Sequence, residues 1–266
     1  MVKLLLAVLA LGAMASTAWA DDDALYRSTL VVTGDREETR VPAIPQGFEL
    51  AAEKLTGNPE IAQDPGFAEI ATRAGSMIWS YTYHDRKFGV PIHDEQGTRD
   101  RPFILTFQFE KTRMDAAMAK LGERPWIGQR PTLGIVLEVT DMARTYLLTS
   151  DSEHGADQRA SFADASARFG IPVVFAKEGD LAVSGIAPAT IDAAPRDALL
   201  ALQKQLNADA IVLGHLDWDA KALGWHARWS LPLKPEAGLW EINGVNFDAA
   251  FRNAVGGAAK RLRPES

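Results

Sequence analysis

The run LGIVLEV, residues 133–139, is apolar at every position except Glu138. A strand with one solvated face alternates polar and apolar residues, whereas a continuously apolar strand is covered by helices on both faces of its sheet. The run therefore predicts a central strand of an α/β unit. Downstream, a helix that ends at Gly170 and a short strand at residues 172–175 follow from the same periodicity and turn signals.

The same unit continues into a predicted β-hairpin. Residues 210–217, AIVLGHLD, follow a helix lined by leucines and predict a strand, and residues 225–231, WHARWSL, predict its return. A last amphipathic helix is expected to begin behind Asn246, whose side chain suits a helix cap. Strands and helices that alternate in this way predict a mixed sheet flanked by helices.

The part of the chain before residue 122 predicts a second unit. Its elements run in the order strand, helix, helix, strand, strand, helix. The first of these helices is expected to be shortened at its start, because Pro42 and Pro45 lack the N–H that a helix interior needs. Gly57 supplies its C-terminal stop.

The prolines of RPWIGQRP, residues 124–131, push their preceding residues out of the helical region, so a boundary is predicted there. The fold class predicted is α/β (α+β), with two tandem small domains, each a mixed sheet flanked by helices. The predicted organisation is a signal peptide at residues 1–20, an N-terminal domain at 21–122, a connector at 123–131 and a C-terminal α/β domain at 132–266.

Residues 1–20 have the composition of a secretory signal peptide. One lysine precedes an apolar run, and the small-x-small ending AWA predicts cleavage after Ala20. We therefore expect the working protein to lie outside the cytoplasm, in the periplasm if the source is Gram-negative. No later run supplies the ~18 apolar residues that a membrane span needs, so a soluble protein is expected.

The charge and the cysteine content of the chain limit the classes of partner and cofactor that we expect it to bind. Without the signal peptide the chain keeps 27 basic and 35 acidic residues, a formal net charge of −8. Nucleic acids and anionic membranes are bound through basic stripes, so this acidity argues against both. The chain has no cysteine, which excludes disulfides, Fe–S clusters and thiolate metal sites, and we expect no cofactor. The pattern leaves the oligomeric state open.

The hairpin carries the predicted ligand-binding residues, His215, Asp217, His226 and Arg228. Alternation along a strand places His215 and Asp217 on one face. If the apolar residues of both strands share the buried face, His226 and Arg228 lie on that same polar face, and Asp217 pairs with Arg228. An arginine can clamp an anion and a histidine can move protons. A solvated face with structural ion pairs is the commoner explanation of such a pattern.

Two further sets of residues are candidates. His84, His93 and Asp94, around a long loop, carry groups that a zinc site uses, but their spacing matches no metal motif, and a solvated acidic loop is the favoured interpretation. Trp126, in the connector, and Trp240, beside Gly238 in a predicted loop, are the predicted contacts for a partner, since indoles often anchor interfaces. The alternative for Trp240 is a lid packed over the sheet edge.

Several stretches resemble the bacterial family known as domain of unknown function 2066. They are LTG at residues 55–57, the RPWIGQRP connector, GIPVVF at 170–175, NADAIVLGHL at 207–216 and GWHARWSL at 224–231. The resemblance implies a secreted envelope protein without established chemistry, so it assigns no functional residue. On pattern alone, the order of elements is similar to the tandem domains of a flagellar H-ring protein. The second half is similar to the N-terminal domain of the Tol-Pal β-propeller protein.

Two functions from different classes follow. The preferred hypothesis is a non-enzymatic periplasmic module that acts by binding an envelope protein partner, because the chain is secreted and acidic and lacks catalytic motifs. The alternative is an enzyme or small-ligand-binding protein that uses the polar face of the 210–231 hairpin, and it predicts a concave pocket there.

Overall fold

The structure is a computed structural model that describes residues 22–89 and 101–264. The predicted signal peptide lies outside these residues. The helices are α1 (Asp22–Leu25), α2 (Glu37–Thr56), α3 (Phe67–Thr72), α4 (Lys111–Lys120), α5 (Ala156–Phe169), α6 (Glu178–Val183), α7 (Arg196–Gln205) and α8 (Phe247–Leu262). The strands are β1 (Arg27–Thr33), β2 (Ile78–Asp85), β3 (Pro102–Phe109), β4 (Leu133–Thr140), β5 (Thr145–Leu147), β6 (Val173–Phe175), β7 (Ala210–Asp219), β8 (Gly224–Ser230) and β9 (Leu239–Val245).

The N-terminal unit, residues 22–121, is a three-stranded antiparallel sheet in the order β1-β3-β2. One face packs against α2 and α4, so that alternate strand residues such as Leu30, Leu105 and Phe107 join Phe48 in a buried core. The other face carries polar residues, including a row in which Thr106 lies between Thr29 and Thr82. This alternation is that of a sheet with one solvated face.

The C-terminal unit, residues 132–264, is a six-stranded mixed sheet. Its order is β5-β4-β7-β8-β9, with β6 parallel to the first residues of β4. Seven of the eight residues of β4 are buried, as the continuous apolar run predicts. Helices α5 and α8 cover one face, and α6 and α7 with the loop between them cover the other. Mixed α/β units with separate cores confirm the predicted fold class; the predicted likeness to the Tol-Pal domain stays a prediction.

Helix α2 corrects the expected start. It begins at Glu37 and runs through both Pro42 and Pro45. A proline deprives the carbonyl four residues earlier of its helical donor. Those carbonyls belong to Glu38 and Val41, which are exposed, so water can satisfy them. The predicted stop is confirmed, because Gly57 adopts φ 69° and donates its N–H to Glu53 O at 2.8 Å.

Four elements were missed by periodicity: α1, β5, α6 and β9. Strand β5 has three residues and helices α1 and α6 have four and six, too few to show a period, while β9 shows no clear alternation. The expectation that Trp240 lies in a loop is wrong, because it is the second residue of β9 and pairs with Trp229 of β8. The predicted cap of α8 is confirmed: Asn246 Oδ1 accepts the N–H of Ala249 at 2.8 Å.

The two units are joined by buried polar contacts as well as by the connector. Arg168 of α5 donates two hydrogen bonds to the buried carboxylate of Glu53 on α2, from Nε to Oε2 at 2.6 Å and from Nη2 to Oε1 at 2.8 Å. Arg130, at the end of the connector, is also buried and bonds backbone carbonyls of both units. Within the described ranges, no helix has both the length and the apolar character that a membrane crossing requires.

Candidate functional site

The hairpin of β7 and β8 has the predicted register. Leu216 lies opposite Ala227 on the buried face, so His215 faces Arg228 and Asp217 faces His226 across the strands. The prediction that these four side chains share one face is therefore confirmed.

His215 lies between two carboxylates. Its Nδ1 is 3.3 Å from Oε1 of Glu138 on β4, and its Nε2 is 2.9 Å from Oδ1 of Asp192. Glu138 is only 8% exposed and also accepts the backbone N–H of Ala189. A neutral imidazole can donate to just one of these carboxylates, whereas the protonated ring donates to both. The arrangement fastens the segment around residues 189–192 to the face of the sheet.

The predicted pair between Asp217 and Arg228 is wrong. Arg228 instead lies 3.5 Å from Oδ2 of Asp192, which a 3₁₀ turn at Ile191–Ala193 brings over the sheet. His226 lies 3.5 Å from Oε2 of Glu241 on β9. Arg228 sits directly opposite His215 and not Asp217, so the carboxylate delivered from outside the hairpin is the nearer partner.

Sequence reasoning missed Glu138, Asp192 and Glu241. Glu138 had a visible signal, since a lone carboxylate in an apolar strand must find a partner once it is buried. Asp192 and Glu241 had none, because they belong to other elements and only the fold brings them close.

Three clefts are lined by none of the four hairpin side chains. One of about 820 Å³ opens on the N-terminal sheet and is lined by Trp79, Thr106 and Lys111. Others of about 570 and 750 Å³ lie where the units meet, beside Arg168. The concave pocket predicted for the hairpin face is not among these clefts. His215 and Arg228 instead contact Asp192, which lies in a loop of the same chain.

The two tryptophans predicted to contact a partner are buried. Trp126 is 7% exposed, and its backbone N–H bonds Leu55 O at 2.7 Å. Trp240 is 9% exposed, donates its Nε1–H to Asn253 O at 3.0 Å and lies beneath the guanidinium of Arg261. The expectation that Trp240 is exposed is therefore wrong, because β9 lays it against α8. Partner binding at these two positions stays a prediction.

Trp79 is the exposed tryptophan that sequence reasoning missed as a contact. It is 76% exposed and lies on β2, one of the two edge strands of the N-terminal sheet. Ile78 pairs with Phe109 and Ser80 with Gln108, so Trp79 is the extra residue of a β-bulge. Bulges re-aim side chains and are frequent beside functional sites. Neighbouring Tyr81 is 44% exposed. We call the side of β2 away from β3, with these two side chains, the β2 edge.

The candidate metal ligands are only partly described. His84 lies on β2, beside Asp85, whose Oδ2 accepts from Arg101 Nη1 at 2.8 Å. His93 and Asp94 lie outside the described residues. Among residues 22–89 and 101–264, no group of three or more His, Asp or Glu side chains is arranged to hold a metal ion.

Lys54 lines the inter-unit cleft of about 570 Å³ and donates its Nζ to Arg27 O at 2.9 Å. Burial lowers the pKa of Lys54 to about 8, and the charges of Arg27 and Arg130 act in the same direction. An unfolded lysine has a pKa of about 10.4, so between pH 8 and 10 the unfolded chain binds more protons. Stability therefore rises with pH across that window.

We expect urea unfolding at pH 9.5 to show a free energy of unfolding on the order of 2 kcal/mol larger than at pH 7.5. Lys54→Met should remove this rise, while Lys120→Met, at an exposed position on α4, should retain it. A rise that persists in Lys54→Met would assign it to another group.

Comparison with known proteins gives one family match. Residues 20–127 match the model of a domain of unknown function (DUF8605). This is a different domain from domain of unknown function 2066, so the resemblance drawn from the sequence stretches is wrong. Three of those five stretches, including the two from the hairpin, lie outside the matched residues. No curated protein matches the chain.

Proposed function

We propose that the protein is exported to the periplasm through a cleaved signal peptide and acts there as a non-enzymatic binding protein of the cell envelope. The observation that carries this function is the exposed Trp79, with Tyr81 beside it, on the β2 edge, which pairs with no strand of the described residues. Leaving a large indole in water forgoes ~1.5–3 kcal/mol of burial, which a partner can recover. The proposed recognition surface is therefore on β2, since Trp126 and Trp240 are both buried.

Export is supported by the composition of residues 1–20, with a basic start, an apolar run and a small-x-small end. The matched domain begins at residue 20, where the signal peptide would end. We expect N-terminal sequencing of the protein from a periplasmic extract to begin at Asp21. A retained Met1 would contradict export by this route.

A binding role is favoured over catalysis because both ring nitrogens of His215 face carboxylates of the same chain. A general base needs a free ring nitrogen within reach of the proton that it takes.

The proposed function is tested by a photo-reactive phenylalanine derivative placed at Trp79 in living cells. We expect it to capture an envelope protein reproducibly. The same group at Val183, which is 92% exposed on α6, is the control and should capture nothing above background. Equal capture at both positions, or none at Trp79, would refute the function at this surface.

The second candidate, a small-ligand-binding protein or enzyme that uses His215 and Arg228, is favoured by one observation. Four charged or titratable groups from four elements, Glu138, His215, Asp192 and Arg228, form a continuous chain of contacts. This candidate predicts that Arg228→Ala abolishes complementation of a deletion strain while the variant remains folded. Full complementation by Arg228→Ala and His215→Ala would eliminate it.

A further inference from the structure

Apart from the bulge at Trp79, β2 lacks the protection that the other strand edges of the described sheets carry. Natural proteins guard edges with lysines, short strands or covering groups. On β1, Lys54 Nζ donates a hydrogen bond to Arg27 O at 2.9 Å. On β9, the guanidinium of Arg261 donates to Leu239 O at 3.4 Å. Strands β5 and β6 have three residues each. The eight-residue β2 contains neither lysine nor proline, and no described side chain bonds its backbone on the outer side.

The register shows which backbone groups of β2 are available. Alternate residues of an antiparallel strand direct both N–H and C=O to the same neighbour. Glu110 donates to Met77 O at 2.8 Å and Arg86 donates to Pro102 O at 3.2 Å, with Thr82 opposite Thr106 between them. Even-numbered residues from 80 to 86 therefore bond β3. Tyr81 and Tyr83 direct their N–H and C=O groups outward.

The side chains at this edge define the chemistry of an occupant. The rings of Tyr81 and Tyr83 meet edge to face with centroids 5.9 Å apart, and the exposed Trp79 lies two residues before Tyr81 on the same strand. The guanidinium of Arg40, from α2, lies 4.2 Å from the centre of the Tyr81 ring. Within residues 22–89 and 101–264, no carboxylate lies within ion-pair distance of Arg40. The edge thus offers backbone hydrogen bonds, an aromatic surface and one cation without a carboxylate.

We propose that the β2 edge accepts an extended segment of a partner protein, which adds as a fourth strand and places an acidic side chain beside Arg40. This inference rests on the proposed function, whose surface it shares. Strand addition takes affinity from main-chain hydrogen bonds and specificity from side-chain contacts, which is the combination found here. A second copy of the chain is a poorer occupant, because two-fold pairing of β2 edges about Tyr81 would bring two Arg40 guanidinium groups together.

The test combines the photo-reactive group at Trp79 with backbone variants of the full-length protein. Tyr81→Pro removes an outward N–H while leaving the bonds to β3 intact, since edge strands accept proline at such positions. Val31→Pro is the matched control: Val31 lies on the opposite edge of the same sheet, and the bond from Phe109 N–H to Tyr26 O places the groups of odd-numbered β1 residues outward. Arg40→Glu reverses the charge and keeps the proposal testable if Tyr81→Pro does not fold.

We expect Tyr81→Pro and Arg40→Glu each to reduce capture at least tenfold, and Val31→Pro to leave it unchanged. Mass spectrometry of the linked peptide should give an extended sequence that contains Asp or Glu. Capture that survives both Tyr81→Pro and Arg40→Glu would overturn strand addition while the proposed function stands. A linked peptide from residues 78–85 of another copy would overturn it in favour of self-association. If the protein with the photo-reactive group at position 79 and no further substitution captures nothing, the proposed function itself is refuted.

Discussion

Replacing Arg130 with methionine is expected to lower the free energy of unfolding by about 2–4 kcal/mol. Arg130 is 6% exposed, and its guanidinium donates to Phe169 O at 2.8 Å, Trp126 O at 3.0 Å and Leu55 O at 3.4 Å. The carbonyls of Leu55 and Phe169 belong to the last turns of α2 and α5, where helices leave carbonyls without internal donors.

The loss has two opposing components. Each buried carbonyl that is left without a donor costs about 1–3 kcal/mol. Leu55 O keeps the N–H of Trp126 at 2.7 Å, so the loss falls on Phe169 O and Trp126 O. Removing the charge recovers part of this, since burial already lowers the pKa of Arg130 to about 10. Methionine approximates the aliphatic stem of Arg130 but also removes the guanidinium that lies 4.6 Å from the centre of the Trp126 ring, so the variant reports the hydrogen bonds together with this cation–π contact.

Equilibrium urea unfolding at pH 7, followed by circular dichroism, measures this change. Arg124→Met is the control, because Arg124 lies in the same connector but is exposed, and it should stay within about 0.5 kcal/mol of the unaltered protein. Equal stability of Arg130→Met and Arg124→Met would show that the three carbonyl bonds contribute nothing net.

Replacing Trp229 with alanine is expected to cost about 3–5 kcal/mol. Trp229 is buried between β8 and the helices, and its ring meets Phe162 and Phe251 edge to face, with centroids 6.3 and 6.4 Å away. The ring lies directly over Gly214, where an added Cβ would stand 2.1 Å from a ring carbon. The indole therefore occupies the space over Gly214, and alanine at position 229 leaves a cavity there.

Two variants sharpen the experiment. Trp79→Ala removes the same side chain from an exposed site and should change the free energy of unfolding by no more than about 0.5 kcal/mol. Trp229→Phe should cost less than Trp229→Ala, because it keeps an aromatic ring and removes a buried indole N–H that has no described partner. A loss in Trp229→Ala no larger than in Trp79→Ala would contradict the packing at Gly214.

The hairpin of β7 and β8 shows how much of the candidate site the alternation of polar and apolar residues can predict. Alternation of Leu216 and Trp218 with His215 and Asp217 fixed both the register and the shared polar face, since a one-residue slip would bury the charges. The partners of that face were beyond pattern, because Asp192 lies more than twenty residues from His215 in sequence and meets it through a 3₁₀ turn.

The tryptophans show what could not be predicted from the sequence, namely which of these side chains is exposed. Side-chain type made Trp240 and Trp126 candidates for partner contacts, yet neighbouring elements decide exposure. Strand β9, which has no clear period, lays Trp240 against α8, whereas a bulge on β2 leaves Trp79 outside. Likewise, the prolines of α2 suggested a shortened start, which the solvation of two carbonyls makes unnecessary.

The guanidinium of Arg130 donates hydrogen bonds to the last turn of one helix in each unit. These bonds restrict the motion of one unit relative to the other that the connector alone would allow. The protein therefore holds the β2 edge in a defined position relative to the C-terminal unit. A partner that binds the β2 edge and also contacts the C-terminal unit gains effective concentration only if its own two sites match that separation. Arg130→Met would widen the range of spacings tolerated while weakening the best-matched one.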